Sequence, residues 1–298
     1  MTDYHVTEHH PRLGVEVCKD NNLKHLNDDQ RRELRHALWQ HGVIVVRNQH
    51  LTAHELECFA RATFGDQILG GPINHRLPQA LQNEHVAILC NPEGPVEKPV
   101  EHVACQWHHD KDALPRMDGL PMNALYVVML HVHDIPDKGL DGRFHATEFL
   151  DQLEAWRKLS TERKAELEPI HLLHQPPAFN LSSKPLPTKS HPLVSEHELI
   201  ARKGLYMGSD TSIPTGMEND PVAAHAFWHT LLDEILALCQ VYSHRWQTGD
   251  VVLWDNSQVM HFGKPYDAMH CRRTGLRLGV IAREEASLRN DAVAKQHT

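Results

Sequence analysis

Two separated stretches of this chain carry residue types that can share one metal ion. They are Trp107-His108-His109-Asp110 and Gly249-Asp250-Val251-Val252-Leu253-Trp254-Asp255-Asn256-Ser257-Gln258-Val259-Met260-His261, with Arg272, Arg273 and Arg277 beyond the second. In an extended backbone residues i and i+2 project to the same side, so His108 and Asp110 can ligate together while His109 turns away. His261 would complete a set of two imidazoles and one carboxylate. On one face of an octahedron that set leaves three positions open, the arrangement that non-heme Fe(II) sites use to hold a co-substrate and dioxygen.

With 26 histidines in the chain, a lone histidine says little, and position within a motif has to decide. His131-Val132-His133 also has i, i+2 spacing, but no carboxylate phrase accompanies it, and it reads as a strand-end pair. The net charge of -9 argues against a nucleic-acid backbone or an anionic membrane surface as partner, since both select clustered Lys and Arg. A small molecule fits better. No window approaches the ~20 apolar residues of a membrane span, and the expected location is the cytoplasm. The six cysteines show no CxxC pair, which in such a chain points to reduced thiols.

The elements that must position these residues can be read from pattern. Asn27 caps a helix that Gly42 stops, and the β-branched run Val43-Ile44-Val45-Val46 follows as a buried strand. Thr52-Ala53-His54-Glu55 is a capping box opening a helix through Phe64. Residues 66–106 are loop-rich around one strand, Val86 to Cys90, and residues 175–192 form a second Pro-rich stretch, so both are expected as lids. A strand is expected over Asn123 to Val132 and a helix from about Thr147 to Leu159. Asp220-Pro221 starts another helix, reaching about Cys239. Val241 to Trp246, Val251 to Trp254 and Leu276 to Ala282 are strand candidates. The fold class expected is mainly β with helices (α+β), a double-stranded β-helix (jelly roll) braced by helices, in a single domain over 1–298.

The phrases Trp-His-x-Asp, Gly-Asp-x-x-x-Trp-Asp-Asn-x-x-x-x-His and Arg-Arg-x-x-x-Arg resemble the taurine dioxygenase and 2,4-dichlorophenoxyacetate dioxygenase family of Fe(II)/2-oxoglutarate-dependent oxygenases. The run from Gly42 to Gln49, with Leu51-Thr52 and Phe59-Ala60, resembles the family's N-terminal strand and helix. The resemblance implies that His108, Asp110 and His261 ligate Fe(II). It implies that Arg273, with Arg272 as the alternative, clamps the distal carboxylate of 2-oxoglutarate. Arg277 matches a residue that faces the substrate, which points to an anionic small molecule. Asp255 and Asn256 are expected to fix the turn before His261 and support the ligands.

The activity implied consumes 2-oxoglutarate and O2, releases succinate and CO2, and oxidises an unactivated carbon, with hydroxylation as the default outcome. One departure stands out. Where the family has Gly-Gly-Asp-Thr, with the threonine contacting 2-oxoglutarate, this chain has Gly139-Leu140-Asp141-Gly142, and a water or the hydroxyl of Thr147 is the expected replacement. Two other classes use the same His/Asp/His set, a zinc-dependent hydrolase and a non-catalytic jelly-roll binding protein. Neither needs a buried arginine. A homo-oligomer is compatible with the sequence.

Overall fold

Alternation along the apolar strands decides which face each one buries. The computed structural model describes residues 4–5, 10–17, 22–66, 68–69, 83, 85–90, 105–110, 125–175, 189–197, 199–267 and 270–281. The strands are β1 (Tyr4–His5), β2 (Val15–Val17), β3 (Val43–Val46), β4 (Ile68–Leu69), β5 (Ala87–Cys90), β6 (Leu125–Asp134), β7 (Ala146–Asp151), β8 (His171–His174), β9 (Lys189–Pro192), β10 (Val194–His197), β11 (Arg202–Leu205), β12 (Ile213–Pro214), β13 (Tyr242–Arg245), β14 (Val251–Asp255), β15 (Val259–Gly263) and β16 (Thr274–Ile281). The helices are α1 (Asp28–His41), α2 (Ala53–Phe64), α3 (Gln152–Lys158), α4 (Thr161–Leu167) and α5 (Pro221–Leu238).

The large sheet runs β1-β2-β3-β14-β6-β16-β4, with β5 also paired to β16. Its centre is buried on both faces. Ile44, Val46, Val127, Met129, Val251, Leu253, Leu276 and Leu278 pack outward against Leu34, Leu38, Leu56 and Phe59 of α1 and α2. The alternate residues Val43, Val45, Val128, Leu130, Val252 and Trp254 pack inward against Phe149, Tyr242 and Val259 of a second sheet, ordered β13-β7-β15. Each such side chain contributes about 1.5–3 kcal/mol by leaving water. Leu150 and Met260, on the far side of the second sheet, meet Trp228, Leu231 and Ile235 of α5. Two facing sheets, antiparallel except for the parallel pair β2 and β3, are braced by helices and form the expected jelly roll. Among the described residues no helix is long and apolar enough to cross a membrane.

The capping signals mark α1 and α2 as read. Asn27 and Gln30 form a reciprocal capping box, as do Thr52 and Glu55, and Gly42 closes α1 at φ 65°.

One reading needs correction. Thr147 does not begin a helix, because Ala146–Asp151 is the central strand β7, hydrogen-bonded to β13 on one side and β15 on the other. The helix starts after Asp151, whose Oδ1 accepts from the backbone N–H groups of Leu153 and Glu154 at 3.0 Å each. Pairing on both edges outweighs the local propensity. The Pro-rich stretch likewise ends in strand β9, paired with β8. Most of the two expected lids, 66–106 and 175–192, lies outside the described residues. Strand β15, unread in the sequence, carries His261.

Candidate metal centre and active site

His108 and His261 lie directly opposite each other in an antiparallel bridge. His108 N donates to His261 O at 3.1 Å and His261 N to His108 O at 3.0 Å, which brings the ring centroids to 4.1 Å. The segment carrying His108 and Asp110 is therefore sewn to the edge of β15, and sequence separation is overcome by two backbone hydrogen bonds. The Nδ1–H of His108 donates to Gln106 O at 2.7 Å, which fixes the tautomer and leaves Nε2 as a metal donor. Nε2 of His108 is 3.9 Å from Asp110 Oδ1, and Nε2 of His261 is 3.7 Å from Asp110 Oδ2. These three residues form a group whose donor atoms all lie within 4.8 Å of one another.

His109 points the other way, as its place between two same-side residues requires. Its backbone N donates to Gly208 O at 3.0 Å, and its Nδ1 accepts from Gly208 N at 3.2 Å. Gly208 has φ +66°, and a Cβ there would lie 2.2 Å from His174 Nδ1, so only glycine fits. Asp110 is held from the opposite side. Its backbone N donates to Asn256 Oδ1 at 2.9 Å, and Asn256 Nδ2 donates to Asp110 O at 2.8 Å. The neighbouring Asp255 is buried, accepts from Gln258 Nε2 at 2.8 Å and Ser257 N at 3.0 Å, and lies 2.8 Å from His197 Nε2. Burial opposes its charge, but these partners keep its pKa below the ordinary value. The turn between β14 and β15 is thus rigid at both residues read as supporting ones.

Electrostatics tune the group for a cation. Burial works against the Asp110 carboxylate, yet Arg277, His261 and His108 outweigh it and hold it below the usual carboxylate range. Burial, and then the neighbouring His108, push His261 well below an ordinary histidine, toward the neutral form that a metal requires. Arg277 reaches the site from β16, with Nη2 2.7 Å from Asp110 Oδ1. Asp110 Oδ2 is buried and has no hydrogen-bond donor among the described residues.

The arginines separate cleanly. Arg272 is exposed. Arg273 turns inward, with its guanidinium carbon 5.6 Å from the centre of the Tyr266 ring. Burial lowers its pKa while Tyr266 and Cys105 partly offset that effect, and a guanidinium stays charged regardless. Arg277 alternates with Leu276 and Leu278, which face α1 and α2, so it lies on the inner side of β16, while Arg273 precedes the strand and a register irregularity between Thr274 and Gly275. His131 and His133 share the helix-covered face with Met129. His131 Nε2 accepts from Leu51 N at 3.2 Å and its Nδ1 bonds Asp250 O at 3.1 Å, a structural role remote from the triad.

A family model described as "Taurine catabolism dioxygenase TauD, TfdA family" matches residues 5–278. The chain belongs to that family. The alpha-ketoglutarate-dependent 2,4-dichlorophenoxyacetate dioxygenase of Cupriavidus pinatubonensis is 29% identical over 283 residues, covering 87% of this chain and 91% of the relative. The (S)-phenoxypropionate/alpha-ketoglutarate-dioxygenase of Sphingobium herbicidovorans is 25% identical over 272 residues, covering 82% and 84%. The crystal structure of AAD-2 in complex with Mn(II) and N-oxalylglycine superposes with a TM-score of 0.77 at 22% identity, over 95% of this chain and 98% of that one, a likeness of fold. As a TauD/TfdA dioxygenase the chain uses 2-oxoglutarate and dioxygen on a small organic substrate, which sets aside the zinc-hydrolase and binding-protein alternatives.

Within this TauD/TfdA frame, Gly142 does not stand in for the missing threonine. It is exposed in a turn at φ +73°, and nothing lies within 4 Å of a Cβ built there. Thr147 is buried on β7, with its Oγ1 accepting from Trp246 Nε1 at 2.9 Å. The residue that sequence reasoning missed is His145. It is buried, and neither ring nitrogen has a hydrogen-bond partner among the described residues. It meets the Tyr266 ring edge-on at 5.2 Å, the ring that Arg273 also contacts. Burial, and then the charge of Arg273, push its pKa down to about 3, so it is neutral. Its only sequence signal was its place three residues after Gly142.

Proposed function

We propose that His108, Asp110 and His261 hold Fe(II), that Arg273 binds the distal carboxylate of 2-oxoglutarate, and that Arg277 meets an anionic group on the substrate, all within one domain. The observation that carries this reading is the orphaned Oδ2 of Asp110, buried 3.7 Å from His261 Nε2. A buried carboxylate oxygen without a donor is costly, and a cation ligated there removes that cost. Two imidazoles and one carboxylate suit ferrous ion, and among common divalent ions they do not suit magnesium or calcium, which take oxygen.

Bound iron supplies the activation of dioxygen and the oxidation of the substrate carbon. The chain supplies binding and orientation. Gln106 O orients the His108 ring through its Nδ1–H, and the Asn256 amide clamps the Asp110 backbone from both sides. Arg273 provides a fixed charge for a dicarboxylate co-substrate, and neutral His145 offers one ring N–H beside it, in the role the family gives to threonine. Arg277, ion-paired with Asp110, keeps that carboxylate ionised and presents its remaining N–H groups to the substrate.

The dioxygenase relatives are named for aryloxy acids, and an arginine at the site supports a substrate of that charge. A succinate-release screen over aryloxy carboxylates, alkyl sulfates, sulfonates and amino acids tests this. Stimulation by one anionic class is expected. Stimulation by neutral compounds alone would remove Arg277 from substrate recognition.

A further inference from the structure

Outside the triad, one other group of side chains among the described residues gathers metal-ligand atoms. Asp210, in the loop after β11, and His225 and His229 of α5 place one donor each within 4.8 Å of one another. His225 and His229 are four apart on a helix, which puts both rings on one face, with centroids 4.1 Å apart. The Nε2 of His229 is shielded from solvent and has no hydrogen-bond partner among the described residues. The frame around them is firm. Trp228 Nε1 donates to Met207 O at 3.0 Å, tying α5 to the segment that leads from β11 into the loop. The loop is closed by Ser212 N donating to Ser209 O at 2.9 Å and by Thr211 Oγ1 donating to Gln175 O at 3.0 Å.

We propose that Asp210, His225 and His229 form a second divalent-metal site, one that takes a transition-metal ion such as zinc in preference to magnesium. Two imidazole nitrogens and one carboxylate oxygen on a helix and an anchored loop are a zinc donor set, with water completing a tetrahedron. Residue 226 is alanine, so no carboxylate follows the first histidine to act as the general base found in helical zinc hydrolases. The site is structural or regulatory. It is coupled to the triad through Gly208, two residues before Asp210, which exchanges two hydrogen bonds with His109. An ion bridging Asp210 to α5 fixes the loop that holds His109, and so the segment carrying His108 and Asp110.

The test is equilibrium dialysis of the full chain against zinc, with metal counted per chain, in wild type, in His108→Ala/His261→Ala, and in each of these with His225→Ala added. His225 is exposed, so its loss does not threaten folding. The triad double variant is expected to keep one equivalent of zinc, and His225→Ala is expected to remove it in that background. Magnesium at the same concentration should not bind there. Slower amide exchange over 206–212 on adding zinc, in the triad double variant alone, would tie the ion to the loop. Zinc retained in full after His225→Ala, or no zinc bound once the triad is removed, would overturn the proposal.

Discussion

Nη2 of Arg277 lies 2.7 Å from Oδ1 of Asp110, so a cation on β16 shares a carboxylate whose other oxygen faces His261. A group in that position can meet the substrate without being a metal ligand. Arg277→Met removes one support of the Asp110 carboxylate and is expected to weaken Fe(II) binding modestly, while lowering substrate-stimulated succinate release more, roughly 10- to 100-fold, the loss of a hydrogen bond to a charged group. Side-by-side spectra and succinate assays read the two effects. Equal loss of both would make Arg277 a support for Asp110 alone.

Arg272 and Arg273 are adjacent but face opposite ways, one exposed and one beside Tyr266. Arg273→Ala should weaken anaerobic 2-oxoglutarate binding roughly 10- to 100-fold, and Arg272→Ala should leave it unchanged. His145→Ala should weaken it less than Arg273→Ala, with recovery in His145→Gln, which restores an N–H. Titration of the bound co-substrate, without turnover, measures all four variants. A stronger effect at Arg272 would reverse the assignment.

What was legible in the sequence was whatever rests on local spacing. The i, i+2 relation of His108 and Asp110, the caps at Asn27 and Thr52, and the apolar runs of β3 and β14 needed no partner to be read. What was illegible depended on distant pairing. Ala146–Asp151 forms a strand because β13 and β15 flank it, and Val259–Gly263 forms one because β7 and His108 pair with it. His145 was hidden among 26 histidines, since only burial and the nearness of Arg273 distinguish it.

Gly208 offers a test of the coupling through His109. Gly208→Ala combines a left-handed backbone with a Cβ that would collide with His174 and Ser212, at a cost of roughly 2–5 kcal/mol. A lowered denaturant midpoint and a weaker Fe(II) affinity are expected together. An unchanged midpoint would mean that the loop relaxes without strain.

His131 makes a pH prediction. Burial lowers its pKa from 6.5 to about 4, so the folded state favours the neutral ring. The unfolded chain takes up the proton first as pH falls, so stability present above 6.5 is lost between 6.5 and 4, by up to about 3 kcal/mol from this residue. His131→Gln, which can accept from Leu51 and donate to Asp250, should flatten the fall in urea midpoint between about pH 7.5 and about pH 5. Parallel curves for the two proteins would refute the role.

The anaerobic visible spectrum after adding Fe(II) and then 2-oxoglutarate reports whether one metal is held with the co-substrate beside it. Wild type should develop a charge-transfer band that needs both additions, and His261→Ala should develop none at the same concentrations. A blank wild-type spectrum, or a band of equal strength in His261→Ala, would contradict the triad.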